Sequence, residues 1–511
     1  MRRIGIDVGG TNTDAVLVDG DAVLAAVKTP TTEDVTSGVE HALTALIDAL
    51  GGDAGRIDAV MIGTTHFTNA VVQRHGLERV GAIRIGLPAS ATLTPFIDWP
   101  TDLAERVHGG TWLIEGGHEF DGRPIVPFDE AAVERAGDEI RALGLRSVAI
   151  SAVFSPLNAE CEDRAAEIVA SRCPDVAITR SHDLGRIGLL ERENVALLNA
   201  CLRDLAVRTT RAFVDAMAAG GIRAPLFLTQ NDGTVMLADI AERFPVYSFA
   251  SGPTNSMRGA AFLTGLADAL VVDVGGTTSD VGFLKAGFPR EANNVVEIGG
   301  VRTLFRMPDL LSIGFGGGSL VRDEPLRIGP DSVGYRITAE ARVFGGDALT
   351  ASDLAVRAGL TSMGEPDRVA SLDAALVEAF LERRHAMIEE AADRMKTSAD
   401  SVPLIAVGGG AFLIPERLDG VSEVRHVPHR AVANAVGAAI AQISGEVDQI
   451  FSGAGRDDAM ARAREMATDR AVEAGAARET VRVVEIEDLP LAYLPGDSLR
   501  VRCRVVGDLR G

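Results

Sequence analysis

At 511 residues the chain is long enough for two to four domains, each with its own core. Its 46% hydrophobic and 24% charged residues describe a soluble globular protein. The formal charge of −22, from 72 acidic and 50 basic residues, argues against nucleic acid or an anionic membrane as the main partner.

The N-terminus runs directly into an apolar segment, with no signal core behind Arg2-Arg3 and no stretch of about 18 apolar residues, so a cytoplasmic location is expected. Ile4-Gly5-Ile6 leads into Asp7-Val8-Gly9-Gly10-Thr11-Asn12-Thr13-Asp14, and Ala15 to Val18 follows: strand, tight turn, strand. The pattern returns 266 residues later as Asp273-Val274-Gly275-Gly276-Thr277-Thr278-Ser279-Asp280, between Leu270-Val271-Val272 and Val281 to Leu284. Such a repeat reads as a duplicated fold. Paired glycines let the backbone approach an anion and threonine hydroxyls add donors, so each turn is a candidate phosphate site. A carboxylate beside a phosphate needs a cation between them, and magnesium held by carboxylate and water suits. Lys28, Lys285 and Lys396 are the only lysines and none follows a Gly-x-x-x-x-Gly pattern, so no Walker-type loop is present.

A helix is expected from Asp34 to Leu50, then a buried strand from Ala59 to Ile62 that enters Gly63-Thr64-Thr65-His66. Strand-to-helix junctions of small polar residues gather N–H groups and hydroxyls. Thr64, Thr65 and His66 are therefore candidate substrate contacts, with helix capping as the plainer reading. Residues 80 to 127, rich in Gly, Pro and Trp, read as irregular strands and loops. Helices Asp129 to Leu143 and Ala159 to Ser171, with strands Ser147 to Ala152 and Val176 to Thr179, restore an α/β alternation. A long amphipathic helix from Leu189 to about Ala219 is expected to bridge the two halves.

Pro225 to Thr229 reads as a strand, and Gln230 to Thr234 as a polar loop that either touches a ligand or turns. Ser251-Gly252-Pro253-Thr254-Asn255-Ser256 precedes a small-residue helix, a place where an anion can be held. Beyond the second hairpin, Gly316-Gly317-Gly318 implies close backbone approach to something. Leu404 to Val407 reads as a buried strand ending in Gly408-Gly409-Gly410, a turn on which adenosine can lie. Ala431 to Ser444 is expected as a helix whose small side chains allow tight packing. The tail divides into a helix (about Asp457 to Ala474) and a β-like stretch (Val481 to Val506). Its alternating Arg500, Arg502 and Arg504 suggest a half-exposed strand, either an appended hairpin or an edge for a partner. The four cysteines have neither metal-ligand spacing nor disulfide density and read as buried thiols.

Two glycine-threonine hairpins flanked by aspartates, a linking helix, a late triple-glycine turn and a small-residue helix resemble the actin-like ATPase superfamily of sugar kinases, heat-shock chaperones and actin. The resemblance implies an α/β fold of duplicated actin-like ATPase (ribonuclease H-like) domains around an interdomain nucleotide cleft, with a short C-terminal α+β extension. It implies ATP and Mg2+ as cofactors. Asp7 and Asp280 would hold magnesium through water, and Asp273 would orient or deprotonate the nucleophile. Gly9, Gly10, Thr11, Asn12 and Thr13, then Gly275, Gly276, Thr277 and Thr278, and Gly316, Gly317 and Gly318 would contribute to nucleotide binding, and Gly408, Gly409 and Gly410 would meet the adenosine.

Within that superfamily the chain is most similar to the ATP-dependent hydantoinase/oxoprolinase family, A-type subunit. The likeness rests on Ile4 to Asp14, Gly63-Thr64-Thr65 with Thr68-Asn69-Ala70, Ser181-His182, Glu191-Arg192, Leu197 to Ala200, Ser251-Gly252-Pro253, Asp273 to Asp280, Ile313 to Ser319 and Gly408-Gly409-Gly410. It runs from residue 1 to about 445 and implies domains at 1–190 and 191–448, with an extension at 449–511. Two departures stand out: Val333 to Thr338 replaces a Pro-Gly-Pro-x-Cys-Tyr type segment, and the C-terminal region is short, with no B-type portion fused. The resemblance implies phosphorylation of the carbonyl of a small cyclic amide or imide (hydantoin, 5-oxoproline or lactam) for ring-opening hydrolysis with a B-type partner, with a homo-oligomer also compatible. Substrate choice is expected from loops 85–125 and 330–347. A stand-alone small-molecule kinase and a nucleotide-gated binding or assembly protein are the alternatives.

Overall fold

The computed structural model describes every residue except 10–11, 31–34, 52–54, 186, 293–295, 306, 324, 452, 492–497 and 511. The repeated hairpins are the same three-strand unit built twice. Arg2–Val8 pairs antiparallel with Asn12–Asp19 and parallel with Ala59–Thr64. Ala269–Val274 pairs antiparallel with Ser279–Lys285 and parallel with Val402–Val407. Buried β-branched and leucine side chains on both faces (Ile4, Ile6, Val271, Val272, Leu404, Ile405) suit strands covered on both sides.

The first unit sits in a nine-stranded sheet, in the order Arg482–Pro490, Leu499–Gly507, Gln442–Phe451, Thr234–Leu237, Leu226–Thr229, Ala59–Thr64, Arg2–Val8, Asn12–Asp19, Ala22–Pro30. The second is the centre of a smaller sheet, Phe288–Pro289, Ser279–Lys285, Ala269–Val274, Val402–Val407, Val421–His426, with Leu310–Ile313 also on Ser279–Lys285. Two helices join the halves. Ser251–Thr264 packs on the second sheet through Met257 and Ala260, and Ala433–Ala439 on the first through Ala435, Val436 and Ala439. They touch where Gly259 faces the Ala433 carbonyl and Gly437 faces the Asn255 carbonyl; a Cβ at either glycine would overlap the opposing backbone. The tight packing expected of the small-residue segment is thus between these two helices.

A third body is a parallel four-stranded sheet, His108–Glu115, Val80–Leu87, Ser147–Ala152, Ala177–Arg180, carrying helices Glu130–Ala142 and Glu160–Arg172. It is tied to the helix Leu189–Ala219 by the buried pair Arg84–Glu193. Residues 80–127 therefore hold two regular strands and the helix Thr101–Val107 where irregular structure was expected. Their Gly and Trp residues obscure the alternation because Gly81, Gly109 and Gly110 make room for Trp112 and Leu145.

The sheets do not divide at residue 190. Leu226–Thr229, Thr234–Leu237 and Gln442–Phe451 belong with the N-terminal hairpin, so the expected domain 191–448 contributes strands to both halves. The long helix packs within the N-terminal half, on Ser147–Ala152 and on Val35–Ala49, and is not the link between the halves. Gln442–Phe451 is strand where the helix was expected to run on to Ser444, because Gly445 lies against the Ala467 carbonyl of helix Arg456–Glu473 and its neighbours pair with Leu499–Gly507. The tail extends the first sheet, and Leu499–Gly507 is an interior strand rather than an edge, with Arg500 on Asp448 and Arg502 on Glu291. All four cysteines are buried and free. No helix among the described residues is long and apolar enough to cross a membrane.

Candidate active site

Both hairpins end in the same geometry. Asp7 stands opposite Asp14 and the Gly9 N–H donates to Asn12 O at 3.1 Å; Asp273 stands opposite Asp280 and the Gly275 N–H donates to Thr278 O at 2.9 Å. Directly opposed residues share a face, so each hairpin presents two carboxyl groups together. On the parallel strand beside each lies a glycine that makes room. A Cβ on Gly63 would stand 2.8 Å from Asp7 Oδ1, and one on Gly408, at φ +88°, would run into the Asp273 carboxylate.

The helix pair carries the two aspartates' hydrogen-bond partners. Asn434 Nδ2 donates to Asp7 Oδ2 at 3.2 Å, and Ser256 Oγ donates to Asp273 Oδ2 at 2.6 Å while standing 3.2 Å from Asn434 Oδ1. Burial pushes Asp7 up to about 7, with Asp14 and Asp273 adding to the rise and Asn434 opposing it. Burial pushes Asp273 up to about 6 against the Ser256 bond, with Asp280 raising it further. Asp14 is raised by burial and restrained by Lys28, whose Nζ lies 2.6 and 2.7 Å from its two oxygens. Lys28 also lowers Asp7 and Asp273 through the field of its ammonium. Asp280 is raised by burial and lowered by Ser312.

Asp7 is thus a buried and Asp273 a partly buried carboxyl group, neither held in an ion pair among the described residues, a costly arrangement that a cation offsets. Among the described residues no three His, Cys, Asp or Glu side chains converge as a metal cage. That donor set fits a magnesium ion that keeps most of its waters and is reached by one or two carboxylates.

The other expected site residues fall into three groups. Gly10 and Thr11 lie outside the described residues, while Asn12 opens the second strand and Thr13 is fully buried behind it. Gly275, Gly276, Thr277 and Thr278 are exposed at the turn. Gly316, Gly317 and Gly318 are buried behind that turn. The N–H groups of Gly317 and Gly318 are bonded to Gly275 O and Gly276 O at 2.9 and 2.7 Å, so support of the hairpin is the role their geometry gives. In the last glycine run, Gly408 and Gly410 spend their N–H groups on Arg430 O and Val274 O, and Gly409 alone is exposed with open space before it. Thr64 Oγ1 accepts from the His66 N–H at 3.1 Å and Thr65 Oγ1 from Asn69 at 3.2 Å, both bonds at the start of helix His66–Gln73. His66 is lowered by burial and by Arg208 and His75, none of them part of the aspartate cluster.

Sequence reasoning missed Asn434 and Lys28 and named Ser256 only as part of an anion-binding segment. A lone asparagine in Ala433 to Ile440, otherwise apolar or glycine, was the available signal, and Lys28, one of only three lysines, was another.

Residues 3–173 match the hydantoinase/oxoprolinase N-terminal region and residues 192–365 the hydantoinase/oxoprolinase model. The chain is 28% identical over 392 residues to caprolactamase subunit alpha of Pseudomonas jessenii, covering 71% of this chain and 55% of that protein. It is 29% identical over 399 residues to the acetophenone carboxylase gamma subunit of Aromatoleum aromaticum, covering 70% and 53%. The chain thus spans about half the length of the curated relatives it matches. Among solved structures, the ATP-dependent caprolactamase from Pseudomonas jessenii superposes with a TM-score of 0.75 at 20% identity over 99% of this chain and 88% of that one. Acetone carboxylase, in its nucleotide-free structure, gives 0.69 at 17% identity over 100% and 88%. These likenesses extend the fold through the C-terminal strands, which lie beyond the family models.

Proposed function

Because the chain belongs to the hydantoinase/oxoprolinase family, whose ATP-dependent members supply its structural likenesses, we propose that it is an A-type subunit that phosphorylates the carbonyl oxygen of a small cyclic amide or imide. The observation that carries this reading is the pair Asp7 and Asp273, brought from opposite halves and joined by Asn434 and Ser256. Two carboxyl groups set into the junction, beside an exposed Gly275-to-Thr278 turn, suit a triphosphate lying between the hairpins.

An amide carbonyl is a poor electrophile and its nitrogen a poor leaving group. In the proposed step the carbonyl oxygen attacks the γ-phosphorus, the bond to the β–γ bridging oxygen breaks and ADP leaves. The Asp273 carboxylate takes the amide N–H proton, leaving an O-phosphorylated imidate, uncharged at nitrogen and anionic at phosphate, open to water. Water then opens the ring, and the net products are the ring-opened amino acid, ADP and phosphate. Asp273, at about 6, is mostly ionised at neutral pH and able to take that proton. Asp7 and Asp280 would hold magnesium through water, and the ion would neutralise charge on the transferring phosphoryl group. Ring opening is assigned to a B-type partner; the caprolactamase, acetophenone carboxylase and acetone carboxylase relatives are themselves named as subunits.

A second reading, activation of a ketone or its co-substrate for carboxylation, is favoured by the acetophenone and acetone carboxylase relatives. It uses the same phosphoryl transfer with a different acceptor. ADP release by the purified chain with Mg-ATP, against lactams, hydantoins, 5-oxoproline, ketones and hydroxyl compounds, separates the readings. Stimulation by cyclic amides is expected. Stimulation by ketones alone would favour the second reading, and a stable phosphate ester from a hydroxyl compound would make the chain a stand-alone kinase.

A further inference from the structure

The strands Thr234–Leu237 and Gln442–Phe451 pair only at Thr234↔Gln442 and Val235↔Ile443, then diverge. Where they part, a cavity of about 690 Å³ opens, bounded also by the four-stranded body. Its walls are mixed: Met236, Leu237 and Phe305 are apolar, and Gln230, Asn231 and Glu446 are polar. That volume and that balance are those of a site for a small organic ligand.

Two observations give the cavity a purpose. The first is its position. The point a Cβ on Gly63 would occupy lies 2.8 Å from Asp7 Oδ1, 2.5 Å from Asn255 Nδ2 and 3.3 Å from Thr229 Oγ1, and Asn255 donates to Thr229 Oγ1 at 3.1 Å. The very next residue, Gln230, is cavity wall, so the pocket lies at the end of the strand that passes Asp7, while Asp7 itself stands outside its lining. The second is Asn231. Its backbone is fully used, the N–H on Tyr247 O at 2.8 Å and the carbonyl by Thr254 Oγ1 at 3.0 Å, yet its carboxamide, 7% exposed, makes no hydrogen bond among the described residues. Its carboxamide therefore keeps both its donor and its acceptor for what enters the cavity, and a matching ligand can take up both.

We propose that this cavity is the acceptor pocket and that Asn231 selects a cyclic amide by its cis edge. The proposal rests on the cyclic-amide reading above for the ligand's identity, though not for the existence of the pocket. A ring holds the amide cis, so its N–H and C=O point to the same side. A primary carboxamide offers an acceptor and a donor at matching spacing and closes two parallel hydrogen bonds with that edge. An open-chain secondary amide is trans and presents its two groups on opposite sides, which excludes peptides; a ketone lacks the donor. The carbonyl oxygen keeps its second lone pair for the γ-phosphorus, and the N–H, held by Asn231 in the ground state, passes its proton to Asp273 only after phosphorylation has made it acidic. Asn231 is by this account a specificity residue, and the apolar wall takes the ring methylenes.

The test uses the full chain and three probes: δ-valerolactam, its N-methyl derivative and N-methylacetamide. Binding is read by saturation-transfer NMR without nucleotide, and the half-saturating concentration by ADP release. Wild type is expected to bind the lactam, and the other two at least about tenfold more weakly, as loss of one paired hydrogen bond dictates. Asn231→Leu, and separately Leu237→Trp, which fills the cavity from its partly exposed wall, are expected to weaken lactam binding by a similar factor with ATP affinity unchanged. Asp273→Asn should bind lactam normally. Equal binding of lactam and N-methyl lactam, or wild-type binding in both cavity variants, overturns the proposal, as does an absence of lactam binding. Lactam that binds and is lost with these variants but never raises ADP release would sink the reaction while keeping the pocket. Lactam-stimulated ADP release at wild-type potency in both variants would do the reverse.

Discussion

Asp7 and Asp273, at equivalent positions of two hairpins 266 residues apart, are joined side chain to side chain through Asn434 and Ser256. Each bridging residue comes from a helix packed on one sheet, so the chain of hydrogen bonds crosses the seam between the halves. The aspartates are therefore held at a fixed separation by the same packing that holds the halves together.

Asp273→Asn keeps the shape and removes the charge. With general-base catalysis typically contributing about 10²–10⁴-fold, turnover is expected to fall by that factor while nucleotide affinity stays within about twofold of wild type. Single-turnover ADP formation with fluorescence-detected nucleotide binding checks both. Lost binding with a lowered Tm would make Asp273 a structural residue.

The raised carboxyl groups give a pH signature. Asp7 at about 7 and Asp273 at about 6 bind protons in the folded state that they release in the unfolded one, so the native state holds more protons between about pH 4 and 7. The contribution of these two groups to the stability of the metal-free protein therefore falls as pH rises through that window. A cation bound at the pair would oppose the fall. Added Mg2+ is expected to raise Tm by about 2–4 °C more at pH 7.5 than at pH 5.5, and Asp7→Asn should abolish most of the difference. A Mg2+ effect independent of pH would separate the ion from these carboxylates.

Gly408 and Gly409 are adjacent and should behave differently. Alanine at 408 meets the Asp273 carboxylate and the Val274 backbone at a φ of +88°, so both turnover and Tm should drop, activity by about 10²-fold from displacement of Asp273. Alanine at 409 meets nothing within 4 Å. Its expected effect is confined to KM for ATP, raised a few-fold if adenosine lies on that turn, with Tm unchanged. Equal loss of stability in both variants would show that the turn matters only for folding.

What the sequence disclosed was what repeats locally. Asp7 to Asp14 and Asp273 to Asp280 carry their pattern within eight residues, and the hairpins could be read from it. The third strand of each unit, ending at Thr64 and at Val407, was legible as a buried apolar run with glycine nearby. Legibility stopped where partners are distant in the chain. Nothing local to Gln442–Phe451 says that it joins the sheet of Arg2–Val8, and nothing local to Asn434 says that Asp7 is its partner. Gly316 to Gly318 show the converse: a close backbone approach was correctly inferred, but what is approached is the Gly275–Gly276 turn of the same chain.

Lys28 offers the sharpest separation of structure from catalysis. It is the partner of Asp14, which is only 4% exposed, and its ammonium also lowers Asp7 and Asp273. Lys28→Met keeps the stem and leaves Asp14 buried and unpaired, at an expected cost of about 1–3 kcal/mol. The same change removes a positive charge from beside Asp273, so the pH at which turnover reaches half its maximum should move upward. Lys28→Met combined with Asp14→Asn restores neutrality at the pair and should recover most of the stability. The catalytic shift should shrink in that double variant without vanishing, because Asp14 raises Asp273 by less than Lys28 lowers it and both charges are then gone. An upward shift in the single variant that is smaller in the double would show that the pair's charges tune the base across the seam, whereas a pH profile unmoved in both, with stability recovered, would confine Lys28 to holding the hairpin.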